Sequence, residues 1–266
     1  MDRPTVCLDD GQIEMFYRTG YLVLPAITTP EEVERLQSVY DHLFATKAGR
    51  AQGDHLDLVT TDEDDQTPVL PQILNPSKYA PALVDTQLRA NAEAIARQLL
   101  GAEAYFAGDH AILKPPHTPA STPWHQDEAY AQPEWDYNYI NIWIPLQEAT
   151  LENGCMQFVP GSHRQEVLPH RPIGNDPRVI GLEVDEPERV AAGAVACPIP
   201  AGGATIHHGR TLHYTGPNQS DQPRRAYIMI FETPRKPRAT PREFPWLAIQ
   251  KTKWQERSAA AQGGKA

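Results

Sequence analysis

Apolar positions recur at helical spacing over the first hundred or so residues and at strand spacing afterwards, which divides the chain into a helical entry and a β-rich body. In TTPEEVERLQSVYDHLF, Val33, Leu36, Tyr40 and Leu43 fall three or four apart and make one apolar stripe. Thr29 is placed to cap this helix, Pro30 suits its first position, and Glu32 would complete a capping box. TQLRANAEAIARQLLG repeats the pattern with Leu88, Ala92, Ile95 and Leu99, and Gly101 is placed to stop it. Ahead of both, the chain start reads as a helix followed by a short strand. Between them, from about Thr46 to Pro68, an acidic stretch without periodicity predicts a mobile loop and a candidate lid.

From Ala104 the texture changes to short β-branched and aromatic runs separated by Pro, Gly and Asn, the pattern of an antiparallel sandwich or barrel. YINIWIPL alternates: Ile140, Ile142, Ile144 and Leu146 face one way, Tyr139, Asn141 and Trp143 the other. A face carrying Asn and Trp suits a lined cavity. Further strands are predicted at MQFVP, VAAGAVACPI, GATIHH and RAYIMIFET, and SAAAQGGKA reads as a frayed tail. The chain is therefore expected to be mainly β with flanking helices, a single domain over 1–266. Its helical part runs over about 9–101, its β core over about 104–234, and its C-terminal extension over 235–266.

Composition narrows the function classes. A formal charge of −10 works against nucleic acid as a partner, because neutralising phosphates needs clustered Lys and Arg. The one basic stretch, Arg235 to Lys253, reads as a solvated edge. No run approaches the roughly 20 apolar residues of a membrane span, and MDRPTVCLDDGQ lacks the apolar core of a secretory signal. Cys7, Cys155 and Cys197 are odd in number and far apart, which suggests neither a disulfide framework nor a thiolate zinc site. A cytoplasmic protein without a membrane partner is expected, and the oligomeric state is not read from the sequence.

The chemistry-bearing residues begin with WHQDEAY. His125 and Asp127 lie two apart, so in an extended segment both reach the same face, where imidazole and carboxylate together suit ferrous iron. A 2-His-1-carboxylate triad needs a second histidine, and GGATIHHGRTLHYTGPNQSDQPRRAY offers three. His213 is singled out because Arg224 follows eleven positions later at the start of the alternating run RAYIMIF, where a guanidinium can grip a carboxylate bidentately. His207 and His208 read as strand residues with satisfied ring nitrogens, and His163 as structural within the turn and strand of ENGCMQFVPGSH. In PQILNPSKY, Gln72 and Asn75 face either a bound small molecule or the turn around Pro76.

WHQDEAY, LENGCMQFVPGSH and HHGRTLHYTGPNQSDQPRRA, in this order and spacing, resemble the phytanoyl-CoA dioxygenase family of Fe(II)/2-oxoglutarate oxygenases; the resemblance runs from about Asp10 to Glu232. It implies a double-stranded β-helix, a jelly-roll barrel of cupin type. It implies Fe(II), 2-oxoglutarate and O2 as the reacting set, with His125, Asp127 and His213 as both metal ligands and catalytic residues. Arg224 and Thr215 then match the residues that hold the far carboxylate of 2-oxoglutarate, and Trp143 and His110 match positions lining its pocket, with Gln72 beside them. The substrate expected is a small metabolite, oxidised by hydroxylation or by another outcome of C–H abstraction. Hydroxylation of an acyl-CoA is one alternative, and a β-helix binding module without catalysis is another.

Overall fold

A computed structural model describes residues 3–263. Three helices open it: α1 (Asp10–Thr19), α2 (Pro30–Ala45) and α3 (Gln87–Leu100). The helical spacing of the sequence becomes packing, since Val33, Leu36, Tyr40 and Leu43 of α2 and Leu88, Ala92, Ile95 and Leu99 of α3 are all buried. Thr29 caps α2 by accepting from the backbone N–H of Glu32. Glu32 does not close a capping box on α2. Its carboxylate reaches instead to the backbone N–H groups of Gln87 and Leu88, at 3.1 and 2.7 Å, and so caps α3 from a different helix. The reciprocal capping box is found on α1, between Asp9 and Gln12.

The strands before residue 150 are β1 (Tyr21–Leu24), β2 (His55–Asp57), β3 (Pro71–Leu74), β4 (Tyr105–Lys114), β5 (Thr122–His125), β6 (Trp135–Asp136) and β7 (Tyr139–Pro145). Those after it are β8 (Met156–Phe158), β9 (His170–Pro172), β10 (Leu182–Val184), β11 (Val195–Cys197), β12 (Ala204–His208), β13 (His213–Thr215), β14 (Arg224–Glu232) and β15 (Lys236–Pro237). Seven of them form the large antiparallel sheet β1-β12-β7-β14-β4-β3-β2, and four form the smaller sheet β11-β8-β13-β5. One face of the large sheet is dry: Ile140, Ile142, Ile144, Ile206, Tyr227, Met229 and Phe231 pack with the three helices into the main core. The opposite face meets the smaller sheet. Tyr21 of β1 stacks on Phe158 of β8 with ring centroids 4.6 Å apart, and Trp143, Met156, Phe158 and Ala226 share a second apolar cluster. The alternation of YINIWIPL thus has its expected cause, because β7 lies between a helical layer and a second sheet.

Three sequence expectations need correction. The stretch from Thr46 to Pro68 contains strand β2, and Asp57 within it is buried, its carboxylate accepting from the N–H groups of Val59, Thr60, Val69 and Leu70. Aspartate here replaces hydrophobic periodicity as the organiser, which a pattern search cannot see. The segment VAAGAVACPI is strand only at Val195–Cys197, since it begins at the last residue of a short helix, α4 (Pro187–Val190), and passes through a turn first. SAAAQGGKA is not frayed throughout: Lys253–Gly263 form α6, which follows the short α5 (Pro245–Ile249). Ser258 of α6 packs against Gly53, where an added Cβ would come within 2.6 Å of its Oγ. The last three residues lie outside the described ones. No helix among the described residues is long and apolar enough to cross a membrane.

Candidate active site

The register between β13 and the edge strand β5 of the smaller sheet builds the site. His213 of β13 stands directly opposite His125 of β5, so their imidazoles share a face with ring centroids 4.1 Å apart. Each Nδ1 lies within hydrogen-bond distance of the carbonyl two residues earlier in the chain, Pro123 for His125 at 2.8 Å and Thr211 for His213 at 2.9 Å. With Nδ1–H donating, both Nε2 lone pairs are turned inward. After His125 the backbone stays extended through Gln126 and then enters a 3-10 turn at Asp127–Tyr130, which delivers Asp127 to the same face. Its Oδ1 lies 3.4 Å from Nε2 of His125 and 3.6 Å from Nε2 of His213. The three ligand atoms of His125, Asp127 and His213 all fall within 4.8 Å of one another. Glu128 anchors the turn, its N–H donating to Gly209 and its carboxylate held by Arg242.

Electrostatics suit a cation. Burial alone would raise the Asp127 carboxyl, but His213, His125 and His207 around it hold it well below the usual carboxylate range. Burial holds His213 well below the ordinary histidine range, so its ring is neutral and able to ligate. An oxygen- and imidazole-bearing set of this kind, without thiolate, fits ferrous iron.

Arg224 opens β14, and the alternation of that strand turns it inward while Arg225 turns outward to Asp41 at 2.6 Å. Arg224 is 1% exposed, lies 5.3 Å from the Trp143 ring, and leaves Nε and Nη1 without a partner among the described residues. The hydroxyl of Thr215 is likewise buried and unpartnered among them. Burial depresses the Arg224 guanidinium to about 10, which still leaves a cation at neutral pH. A buried cation beside an unpaired hydroxyl is costly unless an anion joins them, and a carboxylate supplies what both lack. Lys114, opposite Arg224 across β4, does not compete for that anion, because its ammonium donates to the carbonyls of Thr215, Gly216 and Ala120.

These groups share one cavity of about 560 Å³, which also takes in Gln72 and His110, paired through Nε2 and Nδ1 at 3.3 Å. Asn75 is not among its lining residues; it sits in a left-handed turn with φ of 50°. Of the histidines read as structural, His163 and His208 keep that role, contacting the backbone of Tyr17 and Arg210. His207 does not: its Nε2 lies 3.0 Å from Oδ2 of Asp127. The reading from sequence also missed part of the cavity lining. Arg235 is exposed, as a solvated edge would have it, but it also lines the cavity, paired with Glu232 at 3.0 Å and set over the Tyr137 ring, and Gln250, Trp254 and Gln255 line the cavity too. Only the position of the basic run hinted at this, since nothing in its residue types separates a pocket wall from a surface.

The model of the family "Phytanoyl-CoA dioxygenase (PhyH)" matches residues 16–226. A phytanoyl-CoA dioxygenase domain-containing protein of Bos taurus is 27% identical over 83% of this chain and 89% of its own. A probable alpha-ketoglutarate-dependent hypophosphite dioxygenase of Stutzerimonas stutzeri is 28% identical over 79% of this chain and 73% of its own. Among solved structures, EvdO2 of Micromonospora carbonacea var. aurantiaca, complexed with 2-oxoglutarate, superposes with a TM-score of 0.78 at 40% identity, over 92% of this chain and 99% of that one.

Proposed function

The chain belongs to the phytanoyl-CoA dioxygenase family and is an Fe(II)/2-oxoglutarate-dependent oxygenase, and from that premise we propose the assignment of its residues and the class of its substrate. His125, Asp127 and His213 hold the iron. Arg224 and Thr215 hold the far carboxylate of 2-oxoglutarate, with Trp143, His110 and Gln72 shaping the space around it. The observation that carries this reading is the buried, unpartnered pair Arg224 and Thr215 in the same cavity as the His-Asp-His cluster, because no structural role consumes their hydrogen-bonding groups among the described residues.

When bound, the iron and 2-oxoglutarate supply oxidation of a substrate C–H bond by O2, with succinate and CO2 as the co-products. The chain's own residues do the positioning. Nε2 of both imidazoles and the Asp127 carboxylate present donors on one side of the cavity and leave the other side for co-substrate and substrate. Arg224 orients the dicarboxylate by its remote end, and the Trp143 ring covers the guanidinium from solvent, which strengthens that grip.

Beyond the iron the cavity is predominantly apolar, with Leu56, Leu74, Ile180, Ile230 and Leu247 among its walls. Apart from Arg224 and the Asp127 cluster, the charged groups lining it pair with each other, Arg235 with Glu232, while Arg238 and Arg242 of the basic stretch pair with Asp136 and Glu128. Arg224 and Arg235 are the only Lys or Arg among the described lining residues, so the cavity itself offers no basic cluster for the phosphates of CoA, and a cavity of this size suits a small or medium-sized metabolite of low charge. The test is succinate formation from 2-oxoglutarate in the presence of candidate substrates. Stimulation by neutral polycyclic or similar small metabolites supports the proposal, and stimulation by acyl-CoA thioesters alone overturns it.

A further inference from the structure

Asp127 is the only iron-binding candidate of the three with two potential ligand oxygens, and the structure treats them differently. Oδ1 faces the Nε2 atoms of His125 and His213. Oδ2 accepts from Nδ2 of Asn141 and lies 3.0 Å from Nε2 of His207. Those two residues come from the large sheet, where β12 and β7 pair His207 directly with Asn141, so both side chains emerge on one face as a cross-strand pair. They reach across the gap between the sheets to a turn that belongs to the smaller one. Both are buried, at 3% and 6% exposure.

The polarity of the contact is set. An Asn141 amide turned the other way would place oxygen against oxygen, and an imidazole meeting a carboxylate oxygen through Nε2 must carry a proton there. Each residue gives up something for this arrangement: Asn141 Oδ1 and His207 Nδ1 are buried with no hydrogen-bond partner among the described residues. Unpaired buried acceptors destabilise a fold. Phe158 packs against the His207 ring at 5.3 Å between centroids, so an apolar side chain would serve the fold at that position at least as well.

Resting on the ligand assignment above, we propose that His207 and Asn141 are positioning residues that commit Oδ2 of Asp127 to hydrogen bonds, so that Oδ1 alone is offered to iron. A carboxylate held in this way cannot swing to bind through both oxygens, and the positions needed by 2-oxoglutarate and O2 stay open.

The test is anaerobic binding of Fe(II), then of 2-oxoglutarate, to the full chain, followed by the visible charge-transfer absorption of a chelated 2-oxo acid. His207→Phe and Asn141→Leu are each expected to weaken Fe(II) binding about 10- to 100-fold and to shift or weaken the absorption at saturating iron. His207→Gln, which keeps a neutral donor, is expected to recover most of the affinity. Thermal unfolding of the metal-free Phe variant should match or exceed the parent, a result that separates positioning from a merely structural role. Should His207→Phe fail to fold, Asn141→Leu carries the same expectation. Parental affinity and absorption in folded Phe and Leu variants overturn the proposal, as does a Gln variant as impaired as Phe. Asp127→Ala separates the two levels: loss of Fe(II) binding there with parental behaviour in the others rejects only the positioning role, whereas parental binding by Asp127→Ala rejects the ligand assignment itself.

Discussion

At the scale of single residues, neighbours that look alike in sequence take up different places in the structure. Arg224 and Arg225 are adjacent and chemically identical, yet one is buried in the cavity beside Trp143 and the other pairs with Asp41. Arg224→Ala is expected to raise the 2-oxoglutarate KM by two or more orders of magnitude with little change in iron affinity, since a buried carboxylate that loses its charged partner costs about 3–5 kcal/mol. Arg225→Ala should change that KM by no more than a few-fold, because its guanidinium pairs with Asp41 and does not line the cavity. Steady-state succinate assays on the two variants decide it, and the reverse ranking would place the wrong arginine in the pocket. Asp127→Ala should abolish turnover altogether, as it removes the one carboxylate of the cluster; hydroxylation at the parental rate would disprove the ligand set.

At the scale of elements, what was legible in the sequence is what periodicity encodes. The stripes of α2 and α3 and the alternation of β7 and β14 each follow from one buried face, so the helices, the inward turn of Arg224 and the polar face carrying Asn141 and Trp143 could all be anticipated. Contacts between distant elements could not. Glu32 has the position of a capping-box residue for α2 but caps α3, because the two helices pack with that carboxylate beside the first turn of α3. Glu32→Ala is therefore expected to lower stability by about 1–3 kcal/mol, more than the roughly 1 kcal/mol expected for Thr29→Ala at the true cap of α2. Chemical denaturation of both variants checks this, and a smaller loss for Glu32→Ala would show that α3 does not depend on it. His207 was misread for the same reason, since its partner is 80 residues away, in the turn that follows β5.

At the scale of the whole molecule, buried neutral histidines tie stability to pH. Burial lowers His55 and His170 from 6.5 to about 4, and in His55 the neighbouring Arg50 adds to it. Between those values the unfolded chain binds more protons than the folded one, so stability is fully present above about pH 6.5 and falls as the pH drops toward 4. Denaturant midpoints measured across that window should decline on acidification, and a flat profile would contradict the burial of these rings. The C-terminal part of the cavity lining was the least legible feature, because Arg235, Gln250 and Trp254 come from a segment without a periodic pattern or motif. The iron and co-substrate assignment, by contrast, rested on three co-linear motifs and on the distance from His213 to Arg224. Its most direct test is an anaerobic titration of the Fe(II)-loaded protein with 2-oxoglutarate. A visible charge-transfer band that saturates with 2-oxoglutarate, is lost in Asp127→Ala and needs far more co-substrate in Arg224→Ala is the result predicted. A protein that binds iron but develops no such band at any 2-oxoglutarate concentration would contradict the account.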